Sequence, residues 1–334
     1  MGFLAGFSDR FMLALGIWPF ASFLLTLPLL AFLYHRDGQL RLLAAVGAYA
    51  AVLYGLALVF FTLWPLPEGT EGLGITYGIA PQLDPLAFIG DIRRDGLKAV
   101  FQIAANVAFF VPLGFIARRG LRLGLPASAA AGLAVSALIE TAQLTGLFGL
   151  YPFAYRTFDV DDLAWNVAGA VLGWLAAALV ARLLPEGEAY RQPITHEPGF
   201  VRRSVAFCID MAIIMGAIGA SALTVLVASY LPMVGELWRA GGTEALAAAA
   251  VALFVVLEAV VPWACGGSTP GGAFVRMSCE TKARSGARRL SFYGARLAVI
   301  GACLMVWPWP ACLLAVPLVL GFYLVTRKMP YDFI

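Results

Sequence analysis

Asn106, Glu140, Gln143, Arg156, Asp159, Asp162 and Asn166 form the set in this sequence whose types and spacing point most directly to chemistry. A guanidinium offers a planar fork of donors to phosphate oxygens, and amides add neutral donors and acceptors around it. The carboxylates could hold a hard divalent cation, Mg²⁺ or Ca²⁺, bridging to phosphate. Alternatively Glu140 or Asp162 would be the general base of a metal-assisted hydrolase or transferase, with Arg156 stabilising developing charge. The set contains no histidine and no Ser–His or Cys–His pair, so binding is expected here ahead of catalysis. A second set, Arg203, Asp210, Glu258 and Arg296, brings together two acids and two arginines. It reads first as a charge network whose members neutralise one another, and second as a cation/proton pathway.

These residues sit in a chain that cannot be water-soluble. Of its 334 residues, 61% are hydrophobic and 13% charged, against about 45–50% and about 25% in ordinary globular chains. The mean hydropathy is +0.84. A net charge of +3 with no aromatic-interleaved basic tract gives no footprint for nucleic acid. The two histidines, His35 and His196, fall in expected loops, which excludes histidine-cluster metal sites. Cys265 and Cys279 have a spacing that permits pairing, but small apolar filler is the preferred reading of the cysteines.

A bilayer core needs about 20 helical residues. Runs of that kind lie at 11–34, 42–64, 98–117, 125–148, 160–181, 203–231 and 245–264, with shorter ones at 293–307 and 311–326 flanking a turn at Trp307-Pro308-Trp309-Pro310. The expected fold is therefore an all-α, polytopic transmembrane helical bundle of about nine spans. Proline-rich residues 184–199 read as a cytoplasmic linker between units 1–183 and 200–334. Most of the 23 basic residues fall in one set of connections, leaving Arg10, Arg93, Arg94, Lys98, Arg156 and Arg239 for the other. That bias puts the N-terminus outside and the C-terminus in the cytoplasm. Small residues at Gly216-Ala-Ile-Gly-Ala220 permit close helix packing.

Depth then gathers the first set. Asn106 lies about two turns inside its span, while Glu140 and Gln143 share a face one to two turns from the end of theirs. If the fifth span opens at Asp159, then Asp159, Asp162 and Asn166 make one stripe, with carboxylates at the positive end of the helix dipole. The result is a polar cup below the outer surface. In the blander alternative, Asp159 caps its helix, Arg156 pairs with it, and Glu140 bonds to an asparagine.

The stretches Asn106-Val-Ala-Phe-Phe-Val-Pro112-Leu-Gly114-Phe, Ser136-Ala-Leu-Ile-Glu140-Thr-Ala-Gln143 and Arg156-Thr-Phe-Asp159-Val-Asp161-Asp162-Leu-Ala-Trp-Asn166-Val-Ala-Gly169 resemble three motifs of the VanZ-like family, over about residues 40–180. That family is associated with resistance to glycopeptide antibiotics of the teicoplanin type, so the resemblance implies a role in the bacterial cell envelope. Residues 198–334 resemble the RDD family through Phe200-Val-Arg202-Arg203-Ser-Val-Ala206-Phe-Cys-Ile-Asp210, Gly267-Ser-Thr269-Pro270-Gly271, Arg296 and Asp332, with Gly272 where that family usually has lysine. Some of its members are linked to cation/proton exchange.

The leading expectation is an inner-membrane protein whose outer cup binds, presents or moves the head group of a membrane lipid, a polyprenyl phosphate or wall precursor, without cutting it. The alternatives are the hydrolase or transferase above, an antiporter or small-molecule transporter centred on Asp210 and Glu258, and a scaffold whose polar clusters only lock helices. The basic loop at 266–292 reads as positive-inside bias ahead of an anionic-lipid contact.

Overall fold

The computed structural model of the chain describes residues 2–64, 80–151, 153–154, 156–183, 194–228, 232–305 and 312–334. Among them it is an all-α protein, with two isolated β-bridges, Gln82 to Asp159 and Thr195 to Met277, as its extended pairings. Its elements are α1 (Gly2–Asp37), α2 (Leu42–Leu63), α3 (Ala87–Asp95), α4 (Leu97–Arg119), α5 (Leu125–Leu144), the short turn α6 (Gly146–Gly149), α7 (Val160–Leu183), α8 (Phe200–Ala228) and α9 (Pro232–Val255). A π-turn (Val256–Val260), α10 (Val261–Ala264), α11 (Pro270–Phe274), α12 (Gly286–Met305) and α13 (Cys312–Thr326) follow.

Every expected span falls on a helix, and among the described residues seven helices are long and apolar enough to cross a membrane, ending with Gly241–Ala264. α13, at 15 residues, is shorter than the roughly 20 a crossing needs. α5 stops at Leu144 rather than 148. Four residues in a row, Gly146, Leu147, Phe148 and Gly149, take positive φ. The Thr145 hydroxyl accepts from the Phe148 N–H at 3.0 Å to hold that left-handed turn. The Trp307–Pro310 turn and most of the expected linker, residues 184–193, lie outside the described residues.

By packing, the chain divides into Met1–Leu25 with Leu42–Ala189, and Thr26–Arg41 with Tyr190–Ile334. In the first unit α4 and α7 lie parallel and touch through their main chains. Gly169 faces the Val107 carbonyl, Gly173 the Val111 carbonyl and Gly114 the Ala170 carbonyl, and a Cβ at any of the three would run into opposing backbone. Between helices in a bilayer, where hydrophobic drive is absent, such close approach is what packing gains from small residues. Ala170 and Ala177 continue the seam, fully buried. α5 runs antiparallel to α7, with Gly132 against the Ala170 methyl. Tyr54 of α2 donates to the Phe109 carbonyl at 2.8 Å, less than a turn from Pro112, which has no N–H to offer α4. At Gly216 and Gly219, by contrast, an added Cβ would meet nothing within 4 Å.

In the second unit Ala31 and Tyr34 of α1 form a core with Val205, Ala206, Val275 and Met277. α11 docks on α8 because Gly271 leaves room for the Ala206 carbonyl. A lysine at 272 would begin with a Cβ only 3.0 Å from the Thr269 hydroxyl, which is why glycine suits that place. A second cluster joins Cys279, Phe292, Tyr293 and Tyr331. Cys265 and Cys279 are free thiols, and burial pushes the Cys279 thiol up, keeping it protonated.

Candidate functional site: a charged cleft at one end of the first unit

The site begins with the residue before α7. The Asp159 carboxylate accepts from the Asp161 N–H at 2.8 Å, capping the helix. The Asp159 N–H donates to Glu140 Oε2 of α5 at 3.0 Å. Gln82, arriving from 77 residues upstream, accepts from the Val160 N–H at 3.1 Å through its carbonyl and gives its side-chain amide to Asp159 at 3.1 Å. Three neighbouring acids therefore take three different tasks. Asp159 caps α7. Asp161 accepts from the Phe88 N–H at 2.8 Å, one of the groups that the first turn of α3 leaves unpaired. Asp162 accepts the Asn106 amide of α4 and lies 3.8 Å from the Arg156 guanidinium.

Deeper in, the amides cross-link helices. Asn166 donates to the Ser136 hydroxyl of α5 at 2.8 Å, and Gln143 donates to the Thr62 carbonyl of α2 at 2.7 Å. Their oxygens, Asn166 Oδ1 and Gln143 Oε1, are buried with no hydrogen-bond partner among the described residues. The structure thus bonds Asn106 and Arg156 to Asp162, and Glu140 to Asp159, in two groups side by side at the start of α7. It places Asn166 and Gln143 in the helix seams rather than in either group.

Beside Asp162 opens a cleft of about 270 Å³ between α3, α4 and α7. Its polar lining is Arg94, Lys98 and Gln102 with the aspartates Asp91, Asp95, Asp159, Asp161 and Asp162, and Trp165 stands beside them. Trp165 stands edge-on to Phe88, ring centres 5.4 Å apart. The Arg156 side chain keeps 48% of its surface exposed. The lining thus offers both signs of charge and an aromatic wall. Among the described residues no three His, Cys, Asp or Glu side chains converge to hold a metal ion, since the acids spend their oxygens on N–H groups and on arginine. The donor set does not fit the divalent cation that the sequence suggested.

Reading the sequence missed Gln82, Asp161, Arg94 and Lys98 as parts of this site. Gln82 carried no signal, because its bridge to Asp159 joins segments with no pattern in common. α3 did carry one: Ile89 and Ile92 on one side with Asp91, Arg94 and Asp95 on the other make a short amphipathic helix between two spans.

The second charged set separates. Arg296 pairs with Glu258, which is fully buried. Pro262 has no N–H for the Glu258 carbonyl, and Arg296 Nε donates to that carbonyl instead, at 3.3 Å. Arg203 pairs with Asp332 at 2.8 Å rather than with Asp210. Asp210 accepts from the Thr269 hydroxyl and from the Gly271 N–H, both at 2.6 Å. The expected network of four is a pair, a second pair completed by Asp332, and an acid held by neutral donors.

Residues 51–181 match the family model described as VanZ/LLP1. The matched stretch includes Asn106, Glu140, Gln143, Arg156, Asp159, Asp162 and Asn166, and it stops short of the second unit, where the RDD resemblance rests on the quoted residues alone. No curated protein and no solved structure matches the chain. Residues 51–181 are accordingly a VanZ-like unit, similar to VanZ/LLP1 proteins, within a multi-pass membrane protein.

Proposed function

We propose that the VanZ-like unit binds the head group of a phosphate-bearing envelope lipid at its outer end, and holds or presents it without cleaving it. The observation that carries this reading is the cleft of about 270 Å³ lined by Arg94, Lys98, Trp165 and five aspartates, with the exposed Arg156 guanidinium 3.8 Å from Asp162. Lys98 and Arg156 would meet phosphate oxygens. The acids would receive an ammonium or sugar hydroxyls, and Trp165 would cover the apolar part of the head group. Glu140 fixes the Asp159 backbone, so it serves as a positioning residue. The exposed apolar residues Leu86, Ile89 and Ile92 of the α3 segment would lie in the interface, where a lipid entering sideways meets the cleft.

Native mass spectrometry of the full chain purified in detergent tests this, with wild type beside Arg156→Ala and Lys98→Ala. Removing one charge-assisted pair is expected to weaken retention of a phosphate-lipid adduct about 10-fold or more, for a loss of about 1.5–3 kcal/mol. Identical adducts in equally stable proteins would overturn the proposal.

A further inference from the structure

The opposite end of the same helix pair has a second cavity, of about 330 Å³, lined by Arg118, Arg119, Arg122, Leu123, Ala177 and Ala181. Ala177 lies fifteen residues beyond Asp162 along α7, roughly 22 Å at 1.5 Å per residue. The two charged cavities therefore stand toward opposite ends of one span, separated by roughly three quarters of a hydrocarbon core. On α7 the walls are alanines, which leave space. On α4 and its exit they are arginines, and among the described residues the lining contains no acid.

The arginines are placed by the fold. The Arg118 guanidinium carbon sits 4.0 Å from the centre of the Trp174 ring, a cation–π contact that fixes where its charge lies. The Trp174 indole N–H donates to the Leu123 carbonyl at 3.0 Å, anchoring the connection that carries Arg122. Arg122 itself has φ +57°, a left-handed backbone that side chains rarely adopt. Three guanidiniums within five residues concentrate positive charge at this cavity, and an anion is the ligand such charge attracts. Arg119 and Arg122 make other contacts as well, and five donors on each guanidinium allow sharing. This is the end of the span that the arginine distribution assigns to the cytoplasm, where the leaflet is rich in anionic lipid.

We propose that this arginine-lined cavity is an anion site for a phosphate group, taken from an anionic phospholipid of the adjoining leaflet. Free phosphate shares the recognising chemistry, and the experiment separates the two sources. The full chain in detergent is titrated with phosphatidylglycerol, and with phosphatidylcholine for comparison, by native mass spectrometry. Wild type is compared with Arg118→Gln/Arg122→Gln, with Arg118→Lys, and with the charge-matched control Lys282→Gln/Arg288→Gln in the second unit. The expected result is one phosphatidylglycerol held in preference to phosphatidylcholine and weakened about 10-fold or more in the double glutamine variant. Arg118→Lys, which keeps the charge but loses the guanidinium fork beside the indole, is expected to fall between, and the control to match wild type. Displacement of that lipid by millimolar inorganic phosphate would assign the site to phosphate from either source, and resistance to it would assign the site to the lipid. Equal binding in wild type and the double variant, or an equal loss in the control, would overturn the proposal.

Discussion

At the scale of single residues, the first unit uses its acids as partners for backbone. Glu140 accepts the Asp159 N–H, Asp159 that of Asp161, and Asp161 that of Phe88. What these tasks need is an oxygen lone pair. Glu140→Gln keeps an acceptor and is expected to melt within about 0.5 kcal/mol of wild type. Glu140→Ala leaves the Asp159 N–H unpaired and is expected to cost about 1–3 kcal/mol. Thermal unfolding of the two variants in detergent makes the comparison, and a glutamine variant as unstable as the alanine one would mean that the charge itself is required. This residue was legible in the sequence by depth and face. Its partner was not, because a main-chain N–H has no signature.

At the scale of elements, α4 and α7 are held by the absence of side chains. Gly114, Gly169 and Gly173 each put a backbone against the carbonyl of the other helix, and the same alignment brings Asn106 to Asp162 at one end and Arg118 toward Ala177 at the other. Gly173→Val forces a side chain into the Val111 carbonyl and is expected to cost about 1–3 kcal/mol or more, seen as lost monodisperse protein by size-exclusion chromatography. Gly216→Val, where a Cβ meets nothing within 4 Å, is expected to elute as wild type. Sequence spacing singled out 216–220 and passed over 169–173, although both carry glycines or alanines at helical intervals. Composition can say that a helix permits close approach, but a neighbour must be present for the approach to occur. The end of α5 teaches the same lesson. Hydropathy ran on to residue 148, whereas the left-handed turn at Gly146–Gly149 is a backbone matter that apolar content does not record.

At the scale of the whole molecule, the expected spans fell on helices, and among the described residues seven helices are long and apolar enough to cross. Seven or nine crossings put the termini on opposite sides, and eight would put them together. The arginine distribution predicts that a fluorescent-protein fusion at the C-terminus glows and an alkaline phosphatase fusion there is inactive, with the reverse for phosphatase at the N-terminus. An active phosphatase at both ends would mean an even number of crossings. The division by packing also differs from a division by linker: residues 26–41, the last turns of α1 and the connection after it, group with 190–334, so one continuous helix serves two units.

What the sequence determined by itself was the solvent and the helical class, since these follow from length, hydropathy and a fixed rise per residue. It also carried the VanZ-like motifs that the family match over residues 51–181 supports. Only the tertiary structure decided who bonds to whom: Asn106 with Asp162, Arg203 with Asp332 instead of Asp210, Gln82 across to Asp159. It alone opened the two charged cavities at the ends of the α4–α7 pair. The reason is physical. Hydropathy is a property of one helix in a bilayer, whereas a hydrogen bond or a cavity is a property of two helices at a fixed distance and rotation.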